Sequence, residues 1–256
     1  MNTIEKIKNV DLALEDIKNG KMIIVVDDED RENEGDFIIP ADKATPEDIN
    51  FMMKHARGLI CVAITQERSE ELKLNPMVNS NTSLHETNFT VSVDAKKNIA
   101  TGISAKDRWE TLKIINDSSA SPSDLARPGH MFPLIAKSGG VLRRAGHTEA
   151  SIDLAKLAGF SSCSLLVEIV DEDGSMARLD RLKEISKEHD LRLISIAELI
   201  EYRRKKDKLI TQLLDIPFPN EYGEFRLRLF EDSIHRDHHV ALIKGEISEE
   251  DEVLVR

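Results

Sequence analysis

Ten consecutive residues, Asp27 to Asp36 in "VVDDEDRENEGDF", carry seven carboxylates and a single guanidinium, Arg31. Two chemistries fit such a run. One is a solvated loop of like charge. The other is a seat for a hard cation, because Mg2+ takes oxygen ligands and is commonly held by one or two protein carboxylates plus substrate oxygens. A second stretch supplies the complementary charge. In "RRAGHT", Arg144, Gly146 and Thr148 stand at the start of a helical pattern, and a helix N-terminus offers free N–H groups and a positive dipole end to an anion such as phosphate. His147, within that stretch, would add an imidazole to a carboxylate-held metal. His130, after the Pro-Gly pair of "RPGHMF", is an imidazole suited to moving protons near neutral pH. Glu168 interrupts the apolar run "LLVEIV", where a carboxylate is costly unless paired or working.

These residues need a frame. Ile4, Ile7, Val10, Leu14 and Ile17 recur at helical spacing before Gly20, which predicts a helix over about 3–19. "KMIIVV" and "FIIP" read as strands on either side of the acidic run, so that run must lie at an end or edge of a sheet, open to water or ligand. "TPEDINFMMKHARG" predicts a helix capped by Thr45, with Pro46 first and Gly58 as its stop. "GLICVAIT" and the alternating "NFTVSVD" predict strands. "SAKDRWETLKIIND" predicts a helix capped by Ser104, with Trp109 facing a core. After "RRAGHT" comes a helix capped by His147 or Thr148 and ended by Gly159, then a strand, a helix over about 178–189, the strand "LRLISI" and the helix "AELIEYRRKK". Alternation of this kind implies an α/β fold, a layered mixed sheet with helices on its faces.

Composition narrows the class. Hydrophobic residues make up 40% of the 256, enough for a core. The net charge of −12 and the 4% aromatic content argue against nucleic-acid binding. No apolar run approaches the ~18 residues of a membrane span, and the start has no signal-peptide pattern, so a cytoplasmic location is expected. Cys61 and Cys163 are too few for a disulfide framework or a cysteine-based zinc site, and both sit in or beside apolar segments. Near residue 206 the character changes. We divide the chain into an α/β domain over 1–206 and a short, mostly β segment over 207–256.

Five motifs, "DDEDRENEGDF", "TGISAKDR", "RPGHMFPL", "GGVLRRAGHTEASIDLAKLAGF" and "DEDGSMARL", occur in this order and closely resemble 3,4-dihydroxy-2-butanone 4-phosphate synthase. The likeness covers roughly residues 4–204. It implies Mg2+-dependent conversion of D-ribulose 5-phosphate to L-3,4-dihydroxy-2-butanone 4-phosphate and formate, a step of riboflavin biosynthesis, in a homodimer with active sites at the interface. It implies Glu32 and His147 as metal ligands, with two Mg2+ ions per site and Mn2+ as an alternative. Arg31, Glu32, Glu34, Asp36, Arg144, Ala145, Gly146, His147, Thr148 and Glu168 match substrate-binding positions. Glu168, His130, Asp36 and Cys61 match catalytic ones, with His130 supplied by the partner subunit. In this reading Asp27 to Asp30 are electrostatic background. The chain departs from the usual pattern at Val167, Ile135 and Ser161-Ser162-Cys163. A non-catalytic sugar-phosphate-binding or regulatory protein is the alternative. The segment from Pro219 resembles the opening of GTP cyclohydrolase II, without its cysteines. No cyclohydrolase activity is therefore expected, and His235, His238 and His239 are not expected to form a zinc site.

Overall fold

The computed structural model describes residues 3–248 and Val253; the remaining residues of the C-terminal likeness lie outside these. The chain folds into two compact units that part between Lys205 and Lys206. In chain order the first contains α1 (Thr3–Lys18), β1 (Ile23–Val26), β2 (Gly35–Pro40), α2 (Pro46–Phe51), β3 (Cys61–Ile64), α3 (Gln66–Glu71), β4 (Val93–Ala95), α4 (Ala105–Asn116), β5 (Leu125–Ile135), α5 (His147–Ala158), β6 (Cys163–Glu168), α6 (Leu179–Glu188), β7 (Leu193–Ser195) and α7 (Ile196–Lys206). Its seven strands form one mixed sheet in the order β4-β5-β3-β6-β2-β1-β7. The β1/β7 and β3/β5 pairs are parallel and the others antiparallel.

Two cores flank this sheet, because alternate residues of each strand point to opposite faces. Ile24, Phe37, Ile39, Val62 and Leu165 face one side, where Ile49 of α2, Leu112 of α4 and Leu182 of α6 cover them. Ile23, Val25, Ile38, Cys61 and Leu166 face the other, against Leu14 of α1, Ile152 and Leu154 of α5, and Leu199 of α7. The second core matters most for chemistry, since its sheet face runs directly into the polar end of β2 and β6.

Three local expectations are corrected. The helix opened by the Thr45–Asp48 capping box ends at Phe51 and continues as a π-helical turn, Met52–Ala56. It is stopped by Arg57, in the left-handed region at φ 66°, and not by Gly58. Of "NFTVSVD" only Val93 and Asp94 pair in a strand, which runs on to Ala95 with a register slip between Val93 and Asp94, and Phe89 and Thr90 form isolated bridges. The cap of α5 is Gly146, with no side-chain hydrogen bond; the imidazole of His147 instead turns away from its own helix to the carbonyl of Val25. Trp109 packs against the first core and donates its indole N–H to the Ala44 carbonyl at 2.9 Å.

The second unit contains β8 (Ile210–Asn220), β9 (Gly223–Asp232) and β10 (His238–Ile243) in one antiparallel sheet. Its apolar Ile210, Leu213, Phe218 and Val240 remain exposed.

Candidate active site

β1 and β2 form a hairpin whose last pair is Val26 with Gly35, so the acidic run projects as a loop beyond the strand ends. Asp27 organises that loop. Its Oδ1 accepts the N–H of Glu34 at 2.8 Å, and its Oδ2 accepts the N–H of Glu32 at 3.1 Å and Arg31 Nη1 at 2.8 Å. The side chain is 1% exposed. Asp27 is thus a buried strut, not the background charge expected of it. At the C-terminal side of the loop, the guanidinium of Arg178 donates to the carbonyls of Glu32 and Asn33.

Cross-strand register assembles the rest. Asp36 of β2 lies directly opposite Glu168 of β6, and Cys61 of β3 opposite Leu166. Glu168 closes its strand and is half-exposed, not buried within it as "LLVEIV" suggests. Its Oε2 accepts the Leu59 N–H at 3.0 Å. This contact depends on Gly58, where a Cβ would stand 2.2 Å from the Glu168 carbonyl oxygen and 2.9 Å from Oε2. Gly58→Ala should therefore lower stability by about 2 kcal/mol and displace the Glu168 carboxylate, which thermal unfolding and turnover measured on the same sample will register.

The N-terminus of α5 supplies the opposite wall. His147 is buried, and its Nε2 stands 3.2 Å from the Val25 carbonyl. A carbonyl can only accept, so Nε2 carries hydrogen and Nδ1 faces Glu32 at 3.7 Å and Asp36 at 3.9 Å. Glu32, His147 and Asp27 form the one acidic and histidine group among the described residues whose ligand atoms converge within 4.8 Å. With Asp27 committed to the loop backbone, Glu32 and His147 Nδ1 are the donors facing open space.

A cleft of about 400 Å3 connects these groups. Arg31, Glu32, Glu34, Asp36, Arg144, His147, Thr148 and Glu168 line it, together with His85, Thr87, Phe89, Leu134 and Leu166. Sequence reasoning missed His85 and Thr87. They belong to a loop with no periodicity, yet they hold Arg144, whose guanidinium donates to the His85 carbonyl at 2.8 Å and to Thr87 Oγ1 at 3.0 Å. Its Nη1 donates to the buried Glu149 at 2.6 Å, so Arg144 is oriented by its own chain instead of being free at a helix end. Gly146 must lack a side chain here, since a Cβ would meet Arg144 Nη1 at 2.2 Å. Cys61 is buried under the cleft, and burial, reinforced by the Glu168 and Asp36 charges, keeps its thiol well above the usual range. Cys61, His130, Ala145 and Gly146 are absent from the cleft lining.

The charges are strongly coupled. Burial raises Asp36 to about 7, with Glu168, Glu32 and Glu34 adding to it and His147 opposing. Burial alone would lower His147, but Asp36, Glu32 and Asp27 outweigh it and bring the imidazole to about 9. Burial also works against ionisation of Glu32; the nearby His147 imidazole and the Arg31 charge overcome it and hold that carboxyl at about 2. Asp36 Oδ1 is buried with no hydrogen-bond partner. An orphaned carboxylate oxygen beside an ionised Glu32 and an imidazole whose Nδ1 faces both carboxylates fits a hard divalent cation that keeps positions open for ligand oxygens.

A measurable linkage follows. The raised value of His147 means that the metal-free protein holds a second proton on the ring at neutral pH, and a cation held by His147 would have to displace it. Apparent Mg2+ affinity should climb by up to about tenfold per pH unit from 7 towards 9 and flatten above that. Calorimetry in buffers of different ionisation enthalpy will read the released proton directly.

A carboxylate and imidazole cluster beside a helix N-terminus with an oriented arginine puts groups suited to a cation and to an anion in one cleft. The 3,4-dihydroxy-2-butanone 4-phosphate synthase family matches residues 11–202, and the chain belongs to it. GTP cyclohydrolase II matches residues 211–256. Riboflavin biosynthesis protein RibBA of Chlorobium phaeovibrioides is 52% identical over 253 residues, covering 98% of this chain and 62% of the relative. RibBA of Cytophaga hutchinsonii is 53% identical over 98% of this chain and again 62% of the relative. The chain thus spans about 62% of the length of these relatives. Among solved structures, RibBX of A. baumannii, a two-domain 3,4-dihydroxy-2-butanone 4-phosphate synthase, superimposes with a TM-score of 0.84 at 45% identity, over 93% of this chain and 70% of that one. A 3,4-dihydroxy-2-butanone 4-phosphate synthase in complex with two magnesium ions gives 0.75 at 38% identity, over 77% of this chain and 97% of that one.

Proposed function

We propose that this chain converts D-ribulose 5-phosphate to L-3,4-dihydroxy-2-butanone 4-phosphate and formate in a Mg2+-dependent reaction, as a lyase of riboflavin biosynthesis. The observation that carries this reading is the orphaned Asp36 carboxylate opposite Glu168, in one cleft with Glu32, His147 and the α5 N-terminus. Glu32 and His147 would hold the metal, and a second ion is proposed from the likeness to the synthase solved with two magnesium ions; Mn2+ has the same preference for oxygen donors. When bound, Mg2+ supplies Lewis-acid stabilisation of charge developing on the sugar oxygens.

The chain's own residues do the remaining work. Arg144 and Thr148 with the N–H groups in the first turn of α5 would anchor the phosphate, leaving the ketose carbons over the sheet end. A C–H beside the ketone must lose its proton, and Asp36, near 7, is poised to accept or return one at neutral pH. Glu168, tethered through one oxygen to Leu59 N–H, keeps the other for substrate hydroxyls. Cys61 stays a neutral thiol beneath them. Arg31 and Glu34 close the loop side.

His130 is separate from the cleft lining, which accords with its reaching a neighbouring active site in a homodimer. Residues 211–256 match GTP cyclohydrolase II, and we propose no cyclohydrolase activity for this stretch alone. No described helix is long and apolar enough to cross a membrane; we propose cytoplasmic action. The test is formate release from ribulose 5-phosphate. It should require Mg2+, stop with EDTA and proceed without inorganic phosphate; a folded, Mg2+-loaded protein that releases no formate overturns the reading.

A further inference from the structure

The slip between β4 and β5 creates a second constellation. Val93 pairs with Met131 but Asp94 pairs with Ala126, so Arg127 to His130 bulge away from the ladder. Asp94 stitches this bulge with both oxygens. Its Oδ1 accepts the His130 N–H at 2.9 Å and its Oδ2 lies 2.7 Å from His130 Nδ1. Ser92 Oγ accepts the Gly129 N–H at 3.1 Å beside them. The Asp94 side chain is 9% exposed and the His130 side chain 44%, so a buried carboxylate holds one nitrogen of a ring that otherwise opens outward. Space for this pair is kept by Gly102, at φ +96°, where a Cβ would stand 2.3 Å from Asp94 Oδ2 and 2.6 Å from His130 Nδ1. From α4, the half-buried Arg108 is the cation on which the Asp94 charge acts.

We propose that Asp94 is the positioning residue for His130 in proton transfer. This rests on the proposed role of His130 in the lyase reaction. A carboxylate accepts, so the neutral ring keeps its hydrogen on Nδ1 and presents the Nε2 lone pair. When Nε2 takes a proton from substrate, the imidazolium forms against the Asp94 charge, and the same proton returns to substrate from Nε2; Asp94 itself takes none. Burial of Asp94 makes the preference strong, because the alternative tautomer would face two unshared lone pairs across a water-poor contact.

Asp94→Asn separates positioning from structure. The amide can still accept the His130 N–H through its oxygen, but its NH2 now donates to Nδ1, forcing hydrogen onto Nε2. Expected is a fall in kcat of about 100-fold or more with KM within about threefold, an unfolding midpoint close to wild type, and partial rescue by Asp94→Glu. Nitrogen NMR of histidine-labelled wild-type protein, assigned with His130→Ala, should show His130 protonated at Nδ1 and the Asn variant protonated at Nε2. A wild-type ring protonated at Nε2 overturns the proposal whether or not the variant folds, and so does an Asn variant with wild-type kcat. Wild-type protein that releases no formate would fail the lyase reading instead, leaving the tautomer measurement to decide the Asp94–His130 pairing by itself.

Discussion

Glu168→Gln should abolish nearly all formate release while leaving the protein folded. The amide keeps the shape of the carboxyl group, and its oxygen can still accept the Leu59 N–H, so the unfolding midpoint should move by only a few degrees. What disappears is a negative charge directly across the strand pair from Asp36. That charge helps to raise Asp36 to about 7, so its removal lowers Asp36 and takes its proton-transfer range away from neutral pH. Loss of one acid–base participant is worth about 100- to 10,000-fold in kcat, and detuning of the second adds to it. Steady-state formate assays across pH 6–9 will test both parts. The expected profile loses amplitude everywhere and shifts its acidic limb to lower pH. Turnover within threefold of wild type would remove Glu168 from the reaction.

Glu32→Gln attacks the cation instead. Glu32 is held ionised by the His147 imidazole 3.7 Å away and by Arg31, at 2.8 Å. A neutral amide in its place removes the one strongly acidic oxygen of the seat and leaves the His147 imidazolium with one carboxylate fewer. Two effects oppose each other. The imidazole becomes easier to deprotonate, which favours coordination, yet a formal charge is lost from the metal's ligand set, and for a hard cation the charge outweighs the proton. Mg2+ affinity should fall by at least about 100-fold, with activity recovering in part at high Mg2+. Titration calorimetry with Mg2+ alone reads this without any turnover. Retention of wild-type affinity would assign the seat to another carboxylate, and Asp27 is the nearest candidate.

Much of this is legible in the residues. Helical spacing through Ile7, Val10, Leu14 and Ile17, the Thr45-Pro46 start and the Gly159 stop are local signals, and each appears where local energetics put it. The five motifs lead to the family because they concentrate charge and glycine in patterns that packing alone does not require. Other expectations fail for a common reason, which is that a residue's neighbours in sequence are not its neighbours in space. Gly58 reads as a helix stop, yet it is there to let Glu168 approach. Asp27 reads as solvated charge, yet it is the loop's buried strut. Glu168 reads as buried, while of the facing pair it is Asp36 that is buried.

By itself, then, the sequence determined the element types, the α/β layering, the family and the inventory of acids, imidazoles and arginines, all of which depend on short-range periodicity or on residue identity. Only the tertiary structure decided which of these groups meet. Opposition of Asp36 and Glu168 is set by β2/β6 register across more than a hundred residues of chain, and a shift of one position would send them to opposite faces. The direction of His147 is set by a carbonyl of β1, and the hold on Arg144 by His85 and Thr87 in an irregular loop. Likewise a single slip in the β4/β5 ladder brings Asp94 to His130. Charge proximity, burial and proton affinity are properties of such long-range contacts, so they exist only once the chain has closed on itself.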